Sequence, residues 1–233
     1  MKRACLLSIV ALISISVLPG KLEAQYVNND VKSGKRMFRT VLILPPTASL
    51  LKAGMKGGEP LVNESRTLES GLTKVVEEIL VAKGYMIAPA PFSPDLLDMH
   101  PDLKYALSDL QTKYDQLRVL MRKKPGGVRT GRFSLGDEVA NFSPGASADA
   151  LVFVRASGVL PTAGLRTFVT LTGMGFPHNH VVLDIAVADA QSGTILFFLK
   201  TTSAGNFVAD PEELKDPIDE KFHNFTPAKK SGK

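Results

Sequence analysis

Three adjoining segments constrain the fold of this chain more than anything else in it. Residues 39–45, Arg-Thr-Val-Leu-Ile-Leu-Pro, form a continuous apolar run closed by two prolines, the pattern of a strand buried on both faces. After a glycine-rich loop over residues 49–62 the period changes. Leu68, Leu72, Val75, Val76, Ile79 and Leu80 recur at three- and four-residue spacings, which places them on one face of a helix. Gly84 stands where a left-handed residue ends such a helix. Residues 85–89, Tyr-Met-Ile-Ala-Pro, then read as a second short strand. Strand, helix, strand within about 50 residues is a βαβ unit, which pairs its strands in parallel.

A proline-rich connection over residues 89–101 leads to a second helix, with Leu103, Leu107, Leu110, Tyr114, Leu117 and Met121 on one stripe. That stripe packs on the same sheet or on a partner helix. Strands are expected over residues 148–155, 167–172, 181–188 and 194–199, with a loop over residues 158–164. The last two flank Asp189-Ala-Gln-Ser-Gly193, whose residues suit a tight reversal. The expected fold is therefore α/β: one domain, a mixed sheet of about five strands, packed helices, and a helical insertion over about residues 91–141. The domain occupies residues 39–205, a flexible lead-in residues 25–38, and a C-terminal extension residues 206–233, whose last five residues are a disordered tail.

The first 24 residues read as an export signal. Lys2 and Arg3 precede an apolar run from Leu6 to Leu18, which Pro19-Gly20 breaks, and Leu22-Glu23-Ala24 offers a cleavage site near Ala24. Thirteen apolar residues span roughly 20 Å as a helix, short of the ~30 Å hydrocarbon core, so no transmembrane helix is expected in the mature chain. The protein is expected to be periplasmic or secreted. The only cysteine, Cys5, lies inside the signal, which leaves the mature chain without a disulfide, a thiolate ligand or a cysteine nucleophile. Asn-x-Ser/Thr triplets at Asn63, Asn141 and Asn224 read as chance occurrences.

The net charge of +5 falls to about +3 without the signal. The basic clusters over residues 32–39 and 118–132 lack interleaved aromatics, so they read as solvated surface charge and no nucleic-acid partner is expected.

The order of elements, and two motifs in particular, resemble a group of bacterial envelope proteins: CsgG-like, LpoB-like and PelC-like lipoproteins and the N-terminal domain of TolB. Residues 148–155, Ala-Asp-Ala-Leu-Val-Phe-Val-Arg, match that group's "ADALVFGRV" strand. Residues 181–197 match its "VxLxLxDAxTGxxLW" hairpin, and residues 41–46 its opening "VAVLPF" strand. The group's lipid-anchoring cysteine is absent from positions 18–25, and Phe197 stands where the group often has tryptophan. The resemblance implies a periplasmic, non-enzymatic accessory domain that binds another envelope component, either an envelope protein or a second copy. It brings no active site with it.

Candidate sites are few. The apolar stretch over residues 164–176 reads either as a buried strand or as an exposed partner surface. In the second case Phe168, Leu171, Met174 and Phe176 form that surface, with His178 and His180 at its edge. His178, His180 and Asp184 alternate onto one strand face, and two histidines with a carboxylate are a ligand set for zinc or non-haem iron. The alternative function is thus a periplasmic metal-dependent hydrolase or ligand-binding protein. Against it, Asp184 lies about 13 Å from His180 along a strand, so no metal and no cofactor is expected. Ser143-Pro-Gly145 lacks the first glycine of a nucleophile elbow. Thr172-Gly-Met-Gly175 lacks the lysine and helix of a phosphate loop. Asp95, Asp98, His100 and Asp102 lack the glycine pivot of a calcium hand.

Overall fold

The computed structural model of the chain describes residues 24–142, 144, 147–173, 178–222 and 225. The export signal up to Leu22-Glu23, the Ser143-Pro-Gly145 turn except Pro144, Asn224 and the tail lie outside the described residues. In chain order, β1 (Ala24–Val27) and α1 (Asn29–Lys32) precede β2 (Thr40–Ile43), the hairpin of β3 (Thr47–Gly54) and β4 (Gly57–Pro60), α2 (Val62–Ala82) and β5 (Met86–Ile87). Then come α3 (Pro94–Met99), α4 (Pro101–Lys123), α5 (Gly126–Arg129), β6 (Ala150–Pro161), α6 (Ala163–Thr172), β7 (His180–Asp189), β8 (Ile195–Ala204) and α7 (Lys215–Lys221).

The fold is mixed α/β. One eight-stranded sheet runs in the order β1-β8-β7-β6-β2-β5, with β3 also on β6 and β4 on β3. β2 pairs in parallel with both β5 and β6, so the βαβ unit forms as the periodicity dictates. Gly84 ends α2 at φ 89°. The hairpin of β7 and β8 is antiparallel and turns at Asp189. Asp189 Oδ1 accepts hydrogen bonds from the Gln191 amide (3.0 Å), the Ser192 amide (2.7 Å) and the Ser192 hydroxyl (2.9 Å), and its other oxygen pairs with Arg36.

Eight strands replace the expected five because the sheet recruits segments whose glycines and polar residues read as coil. β1 lies in the expected lead-in, and β3 and β4 lie in the expected loop. Pro45 and Pro46 break β2 from β3, yet both pair with the same long strand, β6. β6 itself runs through Gly158 to Pro161. A Cβ at Gly158 would lie 2.8 Å from both the His180 carbonyl oxygen and Leu50 Cδ2. The glycine is there for close strand packing, not for a loop.

Each face of the sheet carries its own core. Alternate residues of β6, β7 and β8 pack with α2 and α7 on one side, where Phe222 and Phe225 complete the layer. The other set, including Leu151, Phe153, Ala186 and Phe198, packs beneath Leu107, Leu110, Tyr114 and Met121 of α4. The α4 stripe is therefore spent on the sheet.

Candidate functional site

The sheet face beneath α4 carries a row of charge. Cross-strand register aligns Thr47 (β3), Arg155 (β6), Asp184 (β7) and Lys200 (β8). Asp184 is fully buried and is held by two arginines four residues apart on α4. Arg122 grips both carboxylate oxygens, from Nε at 3.1 Å and from Nη2, and Arg118 Nη1 reaches Oδ2 at 3.3 Å. One turn earlier on α4, Asp115 accepts from Arg155 Nε at 3.0 Å and Nη2 at 3.4 Å. The Arg155 guanidinium also sits 5.3 Å from the Tyr114 ring centroid, within cation–π range. Burial pushes the Tyr114 hydroxyl far above its ordinary pKa, with the Asp184 charge adding to the effect.

The expectation that residues 118–132 are solvated surface charge thus fails at Arg118 and Arg122, which cover a buried carboxylate. The signal lay in the strands. Arg155 and Asp184 are lone charges inside otherwise apolar runs, and such charges are buried only when paired.

The same arrangement removes Asp184 from any ligand set with His178 and His180. His180 opens β7, half-buried and opposite Val159, two register rows from Asp184. His178 is exposed. Among the described residues no group of three His, Cys, Asp or Glu is placed to hold a metal ion.

Residues 167–172 are helical, not a strand. The Thr162 hydroxyl caps α6 by accepting from the Leu165 amide at 3.4 Å, and Gly173 closes the helix at φ 69°. The threonines suggested β structure, but here each bonds back to the carbonyl four residues earlier: Thr167 to Ala163, Thr170 to Arg166 and Thr172 to Phe168. That habit reconciles a β-branched residue with a helix. α6 buries only Val169, leaving Phe168 43% and Leu171 81% exposed. Met174 and Phe176 lie outside the described residues. The helix adjoins the tip of the β3–β4 hairpin, where the Thr162 amide donates to the Ala53 carbonyl. Arg166 donates to the Pro161 carbonyl and to Asn179, tying α6 to the start of β7.

No protein-family model matches the chain, and no curated protein matches it. Solved structures similar to it include the following three. The PelC dodecamer from Paraburkholderia phytofirmans is 10% identical, covering 89% of this chain and 98% of that one, with a TM-score of 0.37. Lipoprotein GNA1162 from Neisseria meningitidis is 11% identical over 78% of this chain and 96% of that one, with a TM-score of 0.37. The LpoB C-terminal domain from Salmonella enterica is 12% identical over 77% and 96%, with a TM-score of 0.32. These are envelope proteins of the group that residues 148–155 and 181–197 resemble. No helix among the described residues is long and apolar enough to cross a membrane.

Proposed function

We propose that this chain is an exported, non-enzymatic accessory or assembly protein of the cell envelope, acting by binding another envelope protein or a second copy of itself. The observation that carries the reading is α6, an amphipathic helix that presents Leu171 and Phe168 to solvent while burying only Val169. Phe168 and Leu171 stand three residues apart on one helix and so form a contiguous exposed apolar patch, the kind of surface that marks a partner site. Met174, Phe176, His178 and His180 are proposed to take part in the same binding. Processing near Ala24 leaves Gln25 as the first residue, inside β1.

The test is crosslinking capture from envelope extract with the C-terminally tagged chain, read alongside the mass of the purified mature protein. Capture of one protein near one-to-one, or a self-crosslinked dimer, is expected. Replacing Leu171 and Phe168 with Asp should abolish it while the urea midpoint stays within about 0.3 M, because both side chains already face solvent. Capture that survives both substitutions would sink the surface assignment. A monomeric bait that recovers nothing would sink the accessory reading itself.

A further inference from the structure

α4 covers only part of its sheet face. Up to the row of Arg155 and Asp184 that face is buried, with Phe153, Ala186 and Phe198 wholly enclosed. Beyond it the cover stops. Leu51 and Thr202 are exposed, and Ser157, Val159, His180 and Val182 are only half-buried. At the same level the opposite face is closed, with Leu50, Ala156, Val181 and Leu183 buried. Register brings the uncovered residues into two adjacent rows: Ser157 with Val182 and Thr202, and Leu51 with Val159 and His180. The result is a partly uncovered strip of sheet beside α4, hereafter the groove, with Ser157, Val159, Val182 and Thr202 on its floor and the charged row along one edge.

That edge carries unspent positive charge. Four cations, Arg118, Arg122, Arg155 and Lys200, face two carboxylates, Asp115 and Asp184. Lys200 lies opposite Asp184 in β8, yet its ammonium makes no ion pair with any described residue, since the arginines from α4 occupy the carboxylate. Arg118 Nε is buried without a hydrogen bond. Asp115 Oδ1 lies 3.4 Å away, close enough for attraction but not aligned. The half-buried Lys200 ammonium favours an incoming carboxylate, and the Arg118 guanidinium, buried at Nε, adds positive potential at the same edge.

Resting on the accessory-protein reading above, we propose that this groove takes an extended acidic segment of the protein partner, one that lays small apolar side chains on the floor and one or two carboxylates against Lys200 and Arg118. The excess of two charges sets that number. A polyanion would bring many more charges, and it would meet Asp115, which is 44% exposed at the same edge. The mixed floor suits alternating valine, threonine and acid better than a lipid surface.

The probe is a fluorescein-labelled eight-residue peptide of valine and threonine carrying two glutamates, titrated with the full mature chain and followed by anisotropy. Saturable binding is expected, weakening steeply with salt, while a valine–lysine peptide does not bind. Lys200→Glu should lower the affinity at least tenfold and Lys200→Gln about threefold to fivefold. Lys56→Glu, on the β3–β4 turn, should leave it unchanged. Absence of peptide binding at millimolar protein, or equal loss with Lys56→Glu, overturns the groove whatever the capture experiment returns. Displacement of the peptide by polygalacturonate at equal carboxylate concentration would make the ligand an acidic polysaccharide and overturn the assignment. So would a dimer in sedimentation that Lys200→Glu dissolves, which would make the occupant a second copy. Where a partner is captured, carbodiimide coupling should join the Lys200 amine to a partner Asp or Glu. Lys200→Arg should then keep the capture and lose that crosslink.

Discussion

Replacing Asp184 with asparagine keeps the shape of the side chain but deletes its charge and turns one of its two accepting oxygens into a donor. In the native protein that charge is fully buried and faces Arg118 and Arg122, with Arg155 and Lys200 on the neighbouring strands. After the change, four cations share Asp115 alone. Removing one member of a buried ion pair costs about 3–5 kcal/mol. Here the two arginines remain 22% and 32% exposed, so each can turn partly into water. We therefore expect about 2 kcal/mol, roughly a thirtyfold fall in the folded-to-unfolded ratio. With a urea slope of about 2–3 kcal/mol/M, the midpoint should fall by about 0.7–1 M. The chain has no tryptophan, so far-ultraviolet circular dichroism is the right reporter. The matched comparison is Asp184→Leu combined with Arg118→Met and Arg122→Met. It removes the carboxylate together with the two arginines that hold it and should recover most of the loss, because such a buried ion cluster is close to neutral against well-packed apolar side chains. A midpoint for Asp184→Asn within about 0.2 M of native would refute the argument, since it would mean the arginines do not depend on Asp184.

Asp189 supports the β7–β8 turn in its ionised form. Burial opposes its ionisation, but Arg36 and the Ser192 and Gln191 donors prevail and hold its pKa below the ordinary value. A depressed folded pKa contributes stability above about pH 4 and loses it as pH falls through the folded value. Asp189→Ala should therefore cost about 1–3 kcal/mol at pH 7 and less at pH 3; an equal cost at both would refute the charge argument. Gly71→Ala puts a Cβ 2.3 Å from Pro211 Cβ and 2.4 Å from Cγ. The rigid ring makes overpacking, about 1–3 kcal/mol, outweigh the roughly 1 kcal/mol gained in helix propensity. The melting temperature should drop by about 3 °C, and a rise would show that the segment at Pro211 yields freely. Phe225→Ala removes a buried ring that lies 4.5 Å from Phe197 and 5.1 Å from Phe38 between centroids. It should cost about 3 kcal/mol and reduce the near-ultraviolet signal, and a silent substitution would place Phe225 outside the core.

What was legible in the sequence follows from what hydrophobic periodicity reports. α2, α4 and the β7–β8 hairpin each bury a continuous face, so their spacing alone places them. β1, β3 and β4 bury little of their own, and backbone pairing with a neighbour already in place holds them in the sheet, which no local pattern encodes. α6 reads as a strand in the sequence because Val and Thr favour strands by default. Only the Thr162 cap, the back-bonded hydroxyls and Gly173 make it a helix, and these act through geometry, not composition.

The charged row was hidden for a different reason. Arg118 and Arg122 look like surface residues until Asp184 is placed beneath them, and that placement depends on how α4 crosses the sheet. α4 follows a diagonal line from Pro45, whose carbonyl accepts from Gln111 at 3.2 Å, to Asp184. That path both buries the carboxylate and leaves the sheet uncovered beyond it. The arginine pair and the open groove are thus two results of one packing decision. A helix running parallel to the strands would have covered the floor and left Asp184 without cations, an arrangement the burial cost of a lone carboxylate forbids. Lys200 is the residue this geometry leaves over, and it is where the search for a partner should begin.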